Sequence, residues 1–485
     1  MPPLQRPERA TSVWLSPREA MLAGDADVLV VGGGPAGLAA ALGAANTGAD
    51  VILAERYGFL GGTATAGLVT PMMSFHNEIR ALRATDPAAN LRLLPSDHGP
   101  GKPVIAGVLE LFLSQLYDAD GAIPPSPATG YTVPFDPEQY KLVALKLLDD
   151  AGVRFLFHAL AGGVVGDGAP DGVVFETKSG PMVIRARTIV DCTGDGDVAA
   201  AAGSRFEVGR DEDGLVQPMT LMFRVVEFDR PSFAAYAREH PDQWHEVLGL
   251  WDLIREAEAA GELDLPREDL LFFASPHERE VSVNSTRVSA LGTDVWDLTE
   301  AEWVSRRQMR QIGEFLRKRV PGFADAYIVE SGTTIGVRET RRIVGEYRLT
   351  AEDVLTCRTF EDVVARGSYP IDIHDPQGKG TILRRLPAGG AYDIPLRCLL
   401  PDGVDGMLVA GRCISGTHEA HSSYRVTPIA MATGHAAGVC AAIAAASNER
   451  PRDVDHRAVQ AELVRQGANL RSELAQPNRT QGPLA

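Results

Sequence analysis

Residues 27–55 read DVLVVGGGPAGLAAALGAANTGADVILAE, and this stretch decides the fold. It opens at residues 27–31 with an apolar run rich in β-branched residues, which is typical of a buried parallel strand. The alanine-rich segment at 37–47 predicts a helix, and residues 51–54 predict a second strand. Together they predict a complete β-α-β unit with a glycine-rich turn between the first strand and the helix.

The glycines of that turn have the spacing of a dinucleotide-binding loop, Gly32-x-Gly34-x-x-Gly37. Gly32 permits the tight turn, Gly34 lets the backbone approach a pyrophosphate, and Gly37 lets the helix pack on the strand. The helix N-terminus directs free N–H groups and a positive dipole end at the phosphates. Glu55 ends the second strand, where a carboxylate accepts hydrogen bonds from ribose hydroxyls and repels a 2′-phosphate. The loop therefore predicts FAD or NAD and argues against NADP.

Further elements follow along the chain. A small β-meander is expected from extended segments at 164–165, 172–177 and 182–187, followed by a buried strand at 188–191. Another buried strand is predicted at 407–410. Helical spacing of apolar or alanine residues is found at 104–117, 137–150, 300–319 and 428–446. For the third of these helices, Thr299 is the expected N-cap and Glu302 completes a capping box.

Composition excludes several classes of protein. The 485 residues carry 47 Lys and Arg against 64 Asp and Glu, a net charge of −17, which argues against a general nucleic-acid binder. We see no apolar run suited to a membrane span and no secretion signal in residues 1–24. The five cysteines are scattered without a C-x-x-C pair, a pattern typical of reduced thiols. These features predict a cytoplasmic protein with no membrane or nucleic-acid partner.

Four segments, at 28–67, 191–202, 336–350 and 408–442, resemble the FAD-dependent oxidoreductases of the glutathione-reductase-like superfamily, which are flavoproteins built on dinucleotide-binding folds. The first contains the glycine loop, Glu55-Arg56 and the run GGTATAG, and the second contains DCTGDGD. The third reads GVRETRRIVGEYRLT, and the fourth runs from LVAGRCIS to GHAAG. Because the segments occur in the family's order, the resemblance implies that the cofactor is FAD and that the protein is an enzyme.

The resemblance also implies a role for individual positions. Glu55 and Arg56 would hold the adenosine ribose, and the backbone at 425–427 would face the N1–C2=O edge of the flavin. The turn at 193–195 would close over the phosphates on the adenine side, and Ala161 would lie along the adenine. The cofactor-binding residues expected in this way are Gly32, Gly34, Pro35, Ala36, Gly37, Glu55, Arg56, Gly61, Gly62, Thr63, Ala64, Ala161, Thr193, Gly194, Asp195, Gly411, Arg412, Arg425, Val426 and Thr427.

The expected fold is α/β: a Rossmann-type FAD-binding domain with a parallel sheet and a small β-meander, plus a mixed α+β substrate or cap domain inserted between its segments. The expected FAD-binding domain is discontinuous and combines residues 25–100, 150–215 and 397–450. The cap covers 216–396, residues 1–24 form an N-terminal arm, and residues 451–485 form a polar C-terminal tail.

The candidate catalytic residues come from three short segments. Arg338 lies in a run of alternating charge with Arg341 and Arg342, which fits either an ion-paired strand or a clamp for an anion. His374 follows an extended apolar run and is suited to proton transfer near neutral pH. Two further candidates, His418 and His421, lie close to the expected flavin position. Their spacing matches no zinc pattern, so no metal is expected.

These residues predict an enzyme that transfers a hydride between a small organic substrate and flavin N5, as a dehydrogenase or oxidase. Two alternatives stay open. One is a flavin-dependent monooxygenase that uses NAD(P)H and O2, and the other is an FAD-binding electron-transfer protein that needs a partner. The chain has one dinucleotide fingerprint only, which argues against a reductase of the pyridine nucleotide and disulfide type. Assembly into a homo-oligomer is also left open.

Overall fold

The structure, a computed structural model, describes residues 3–8, 12–76, 91–95, 103–166, 169–377 and 380–471. The strands are β1 Met21–Val31, β2 Val51–Ala54, β3 Arg154–Leu156, β4 Leu160–Val165, β5 Gly172–Thr177, β6 Gly180–Asp191, β7 Phe206–Val208, β8 Phe223–Val226, β9 Trp244–His245, β10 Leu248–Gly249, β11 Leu270–Ala274, β12 Glu280–Val283, β13 Tyr327–Ser331, β14 Arg341–Ile343, β15 Val363–Gly367, β16 Ile371–His374, β17 Thr381–Arg384, β18 Tyr392–Pro395 and β19 Met407–Val409. The helices are α1 Pro35–Asn46, α2 Val108–Asp118, α3 Pro137–Asp150, α4 Asp197–Ala201, α5 Arg230–Glu239, α6 Trp251–Ala259, α7 Val295–Arg319, α8 Ala351–Leu355, α9 His418–Tyr424, α10 Thr427–Ser447 and α11 His456–Arg465.

The glycine loop follows the central strand of a parallel sheet. Strands β3, β2, β1, β6 and β19 lie side by side in that order and run parallel. Strand β6 shares its outer edge between two partners, because β5 pairs with its first half and β19 with its last three residues. Strand β4 pairs with β5 and completes the antiparallel meander. This arrangement confirms the predicted α/β fold class with a Rossmann-type parallel sheet and a small meander.

Two predicted strands in this sheet are wrong in length. The strand expected at 27–31 begins six residues earlier, at Met21, so residues 21–24 belong to the sheet and not to an arm. The segments expected at 182–187 and 188–191 are one strand, β6. Both corrections have one cause. Strand β1 pairs with β6 from Met21 to Val31. The hydrogen bonds between the two strands keep both segments extended, although their sequences show little alternation of apolar and polar residues.

A second sheet forms the centre of the inserted region. Its order is β13-β8-β12-β11-β10-β9, and all neighbouring strands are antiparallel. Helix α7 begins at Val295, five residues before the predicted start, and Asp294 is its N-cap. Thr299 does not cap it, since its hydroxyl donates to the carbonyl oxygen of Val295 inside the first turn. Asp294 accepts backbone N–H groups of the first turn and therefore takes the role of N-cap that we predicted for Thr299.

Two hydrophobic cores favour a revised domain boundary. One core contains side chains of the second sheet with those of α5, α6 and α7. The other contains the parallel sheet and its helices, and it also takes in Ile343 and many buried residues as far as Leu400. We therefore propose that the inserted region ends near residue 340 rather than at 396. The predicted ranges 1–24, 25–100 and 451–485 each include residues outside the described part of the chain.

The predicted C-terminal tail contains an ordered helix. Val459 and Leu463 of α11 are buried in the first core, and Gln460 donates to the carbonyl oxygens of Glu361 and Val363. Within residues 451–471 the chain is therefore part of the folded domain. Only half of the residues of α11 are apolar, and Val459, Leu463 and the partly buried Val464 are the apolar ones that pack on this core.

Helix α10 is long and apolar enough to cross a membrane, although we expect no membrane span from the sequence. Most of it is buried inside the protein, which is the condition of a core helix. Its small residues allow close contact with α1: a Cβ on Gly434 would overlap the carbonyl oxygen of Ala36, and one on Gly438 would overlap that of Ala40. Glycine at these two positions thus sets the distance between the two helices.

Gly438→Ala should lower the free energy of unfolding by about 1–3 kcal/mol, because the added methyl meets backbone that cannot move aside. Helix propensity alone would predict the opposite change, because alanine stabilises an exposed helix by about 1 kcal/mol relative to glycine. Urea denaturation followed by circular dichroism measures the change, with Ala446→Ser on the exposed end of α10 as the control. A more stable Gly438→Ala variant would show that the helices can separate at little cost.

Candidate functional site

A cavity of about 680 Å³ lies where the carboxyl ends of the parallel strands meet the second sheet. The turns after four of these strands line it, with Gly32 after β1, Glu55 after β2, Thr193 after β6 and Gly411 after β19. In open α/β sheets, ligands bind outside the carboxyl ends of the strands. The cavity lies inside the volume range of small-molecule and cofactor sites.

The three glycines of the loop have different surroundings. Gly32 has φ +101°, a conformation that favours glycine. A Cβ on Gly37 would overlap the carbonyl oxygen of Gly32, so this position sets the contact of helix and loop. At Gly34 a Cβ would meet only the Cα of Gly62, at 3.7 Å, and Gly34 lines the cavity. The free space beside Gly34 is therefore the place where a bound pyrophosphate can approach the backbone.

Glu55 is buried at the cavity wall. Its carboxylate accepts the backbone N–H of Gly33 at 2.5 Å and that of Tyr57 at 2.8 Å. Burial raises the pKa of Glu55, and these backbone hydrogen bonds and the charge of Arg56 oppose that rise. Each carboxylate oxygen can accept more than one hydrogen bond, so the group can also receive ribose hydroxyls.

Two long helices begin at the cavity without side-chain caps. Gly34 is the N-cap of α1 and Val426 is the N-cap of α10, and neither offers a side-chain hydrogen bond to the first turn. Helix N-termini carry free N–H groups and a partial positive charge, which stabilise anionic groups. The side chain of Arg425 adds a buried Nε with no hydrogen-bond partner among the described residues. These donors fit a ligand with phosphates and an electron-rich ring edge, as FAD has.

Asp191 holds the turn after β6. It is fully buried and accepts the N–H and the hydroxyl of Thr193 and the N–H of Ala199. Burial raises its pKa to about 6. Next to this turn, Arg412 donates to Asp195 at 2.8 Å and to the hydroxyl of Thr340 at 3.0 Å. The guanidinium of Arg412 therefore reaches the cavity in a fixed orientation.

The cavity brings together most of the predicted cofactor-binding residues. Those that line it are Gly32, Gly34, Pro35, Ala36, Glu55, Arg56, Gly62, Thr63, Ala161, Thr193, Gly194, Asp195, Gly411, Arg412, Arg425, Val426 and Thr427. The other three, Gly37, Gly61 and Ala64, lie behind this surface. Gly61 has φ +111° and donates its N–H to the carbonyl oxygen of Gly33, so it shapes the second loop beside the first. The binding roles of all these residues stay predictions.

Arg338 and His374 line the same cavity. Arg338 donates to the carbonyl oxygen of Pro218 at 2.6 Å and to the hydroxyl of Thr220 at 2.7 Å. His374 lies 3.5 Å from the Thr381 hydroxyl through Nδ1. Burial and the charges of Arg338 and nearby arginines hold the pKa of His374 well below 6.5, so the imidazole is neutral at neutral pH. Burial lowers the pKa of Arg338 to about 9, so its guanidinium is still protonated there.

The structure does not bring His418 and His421 to the cavity. His418 is buried and its Nδ1 lies 2.9 Å from Glu339 Oε1, while His421 is fully buried against the ring of Tyr424. Arg342 pairs with Glu339 as well, and Arg341 pairs with Asp197 at 2.8 Å. Of the two explanations for the arginine run, ion pairing therefore applies to Arg341 and Arg342. Among the described residues, no group of three or more His, Cys, Asp or Glu side chains could hold a metal.

We did not predict several residues that also line this cavity, among them Arg267, Asn284, Tyr369 and Asp372. A signal existed for Asp372. In β16 the buried residues Ile371 and Ile373 alternate with Asp372 and His374, so the polar pair shares the face toward the cavity. For Arg267 and Asn284 we find no such pattern, because they reach the cavity from loops of the inserted region.

The buried group around Glu339 has a large expected effect on stability. Glu339 contacts Arg342 and His418 and also accepts the backbone N–H of Gln217 at 3.1 Å, with all of its side chain buried. Glu339→Gln should therefore lower the free energy of unfolding by about 3–5 kcal/mol, because Arg342 is left with a buried charge. Urea denaturation tests this, with Glu314→Gln in an exposed helix pair as the control that should change nothing. Equal stability of the two variants would contradict it.

Comparison with known proteins identifies the family of this chain. The family model described as FAD dependent oxidoreductase matches residues 27–463. No curated protein matches the chain. Among solved structures, a geranylgeranyl bacteriochlorophyll reductase-like protein from Thermoplasma acidophilum is 12% identical, with a TM-score of 0.42 over 94% of this chain and 88% of that one. A flavin-dependent brominase is 13% identical (TM-score 0.41; 91% and 84% covered), and an amino acid oxidase essential for nikkomycin biosynthesis is 14% identical (TM-score 0.40; 90% and 97% covered).

Proposed function

Because this chain belongs to the FAD-dependent oxidoreductase family, with FAD as its cofactor, we propose that it oxidises a small organic substrate by hydride transfer to the flavin. The observation that carries the proposal is the shared cavity. Arg338 and His374 line the same space as the glycine loop, the Glu55 carboxylate and the start of α10. A group that can bind an anion and a group that can accept a proton thus face the cofactor-binding surface.

FAD, when bound, supplies the two-electron acceptor for the hydride. The protein must then fix the substrate and remove the proton that leaves with the hydride. Arg338 does the first, since its guanidinium keeps donors free beyond the two hydrogen bonds to Pro218 and Thr220 and can bind an anionic group. His374 does the second, because a neutral imidazole is a base at neutral pH.

The neighbours of His374 support the role of a base. Nε2 of His374 lies 3.7 Å from a carboxylate oxygen of Asp372, and the backbone N–H of His374 donates to the side-chain oxygen of Gln217. When the imidazole accepts a proton, the Asp372 carboxylate stabilises the charge that forms. The hydroxyl of Tyr369 donates to Asp372 at 2.9 Å and holds it in place.

The second sheet closes the cavity on its apolar side. Met222, Val247, Leu271 and Phe273 line this wall, and their side chains offer water no strong hydrogen-bond partner. Exclusion of water strengthens the electrostatic contacts of Arg338 and limits competing reactions of the reduced cofactor. The inserted region therefore acts as a substrate cap, an assignment that we propose together with its boundary near residue 340.

The test is anaerobic reduction of the purified holoenzyme. We expect loss of flavin absorbance when a small organic substrate is added in the absence of O2 and of NAD(P)H. Bleaching with NAD(P)H alone would contradict the proposal and favour a monooxygenase. Bleaching only when a protein partner is present would favour an electron-transfer protein. We also propose a cytoplasmic enzyme without nucleic-acid or membrane partners, for which fractionation of the native cell is the measurement.

A further inference from the structure

The substrate side of the cavity holds a surplus of one positive charge. Arg267, Arg338 and Arg425 line it, and Asp372 is the acidic residue among them. Arg267 is neutralised by Asp269 at 2.6 Å, outside the cavity wall. Arg425 lies 3.8 Å from Asp372, so these two charges also offset each other.

Arg338 is the guanidinium that remains. Its hydrogen bonds go to a backbone carbonyl and a hydroxyl, which are neutral. Within the ranges that the structure describes, no carboxylate lies within 4 Å of it. The charge of Asp372 acts on Arg338 from a longer distance, but Asp372 lies closer to Arg425, so Arg338 has no carboxylate in contact. A largely desolvated cation in that position is unfavourable, and an anion from the ligand removes that cost.

The wall beside it is apolar. Met222, Val247 and Phe273 form a small cluster with Leu68, against which Leu271 packs. All but Leu68 line the cavity, so a ligand bound at Arg338 places its remaining atoms against hydrocarbon and an aromatic ring. Burial of apolar surface there contributes about 25 cal/mol per Å² to binding.

We propose that the substrate is a monocarboxylate with an apolar body: its carboxylate binds Arg338, its body lies on the wall formed by Met222, Val247, Leu271 and Phe273, and cationic ligands are excluded. The proposal rests on the proposed function for the identity of the site as a substrate site. The exclusion of cations follows from the same charges that keep His374 unprotonated, since a ligand ammonium beside Arg338 and Arg425 meets the same repulsion. With FAD bound as the two-electron acceptor, a 2-hydroxy acid of this class would lose its C–H hydrogen as hydride and its O–H proton to His374, which would leave a 2-oxo acid.

The experiment uses ligands that share one body and differ in charge: phenylacetate, phenylacetamide and 2-phenylethylammonium, with acetate to remove the body. None of these probes has a 2-hydroxyl group, so binding to the holoenzyme is measured by calorimetry without turnover. Phenylacetate should bind at least about tenfold more tightly than phenylacetamide, since hydrogen bonds to charged groups are the stronger ones. Phenylacetate should also bind about 30-fold or more tightly than acetate, because its ring buries apolar area on the wall. The ammonium should not bind.

Arg338→Gln should remove the preference for phenylacetate over phenylacetamide while the FAD content stays at the wild-type level. Arg310→Gln, at an exposed position on α7, is the matched control and should keep the preference. Equal binding of the acid and the amide, tightest binding of the ammonium, binding of none of the four ligands, or a preference that survives in Arg338→Gln would each overturn the inference. If phenylacetate binds as expected but no small organic substrate bleaches the flavin, mandelate (its 2-hydroxy analogue) and other acids of the class included, then the proposed function fails and this binding assignment stands.

Discussion

Gly34→Val is expected to give a folded protein that retains less than a few per cent of its FAD. The backbone at Gly34 has φ −70° and ψ −174°, which a valine adopts without strain. A Cβ there meets only the Cα of Gly62, at 3.7 Å, so the side chain extends into the cavity without disturbing its neighbours. The space that it fills is the one where the pyrophosphate must approach the loop. FAD released from the heat-denatured protein, measured by its fluorescence, gives the occupancy.

Two variants separate this effect from unfolding. Gly37→Val, three residues away, places its Cβ on the carbonyl oxygen of Gly32 and should lower thermal stability as well as FAD content. Ala259→Val adds bulk at an exposed position of α6 and should alter neither. Gly34→Val with one FAD per chain would mean that the cofactor does not pass this glycine, and the assignment of the loop would be lost.

His374→Ala is expected to slow anaerobic flavin reduction by about 10²–10⁴-fold, the usual contribution of a general base. FAD content should stay unchanged, because His374 lies on β16, outside the glycine loop and the other predicted cofactor-binding segments. Added imidazole should restore part of the rate, since it can enter the space left by the ring and accept the proton. Stopped-flow absorbance with a substrate found by the anaerobic screen is the measurement.

The pH dependence of flavin reduction is a second test of His374 as the base. A base works in its neutral form, which is present above its pKa and lost as the pH falls through it. Burial and neighbouring arginines hold the pKa of His374 well below 6.5, so the wild-type reduction rate should be constant from pH 8 down to 6.5. His240→Ala, at an exposed histidine, is the control and should behave as the wild type. An unchanged rate in His374→Ala, or a rate that halves near pH 6.5, would assign proton removal to another group.

The cofactor half of the site could be predicted from the sequence because its signals are local. A glycine at φ +101°, a small residue where helix meets strand and a carboxylate at the end of β2 are each visible within a few residues of the chain. Parallel strands then bring the turns that follow them to one edge of the sheet, so loops far apart in sequence line one cavity. The fold class follows from these local signals, whereas the family and the choice of FAD came from the resemblance of four segments along the chain.

The substrate half was decided by tertiary structure. His374 and His418 are both catalytic candidates from the sequence. The alternation in β16 places His374 on one face with Asp372, but it does not show that this face meets the cavity. His374 lies among the residues that line the cavity with Arg338, while His418 contacts Glu339 in a buried group outside that lining, although β16 and α9 pack against each other. The same holds for α11, in which polar and apolar residues are equally frequent and which packs on the core all the same. Sequence patterns determine which backbone conformation a segment adopts, whereas burial and charge pairing depend on distant residues that only the folded chain brings together.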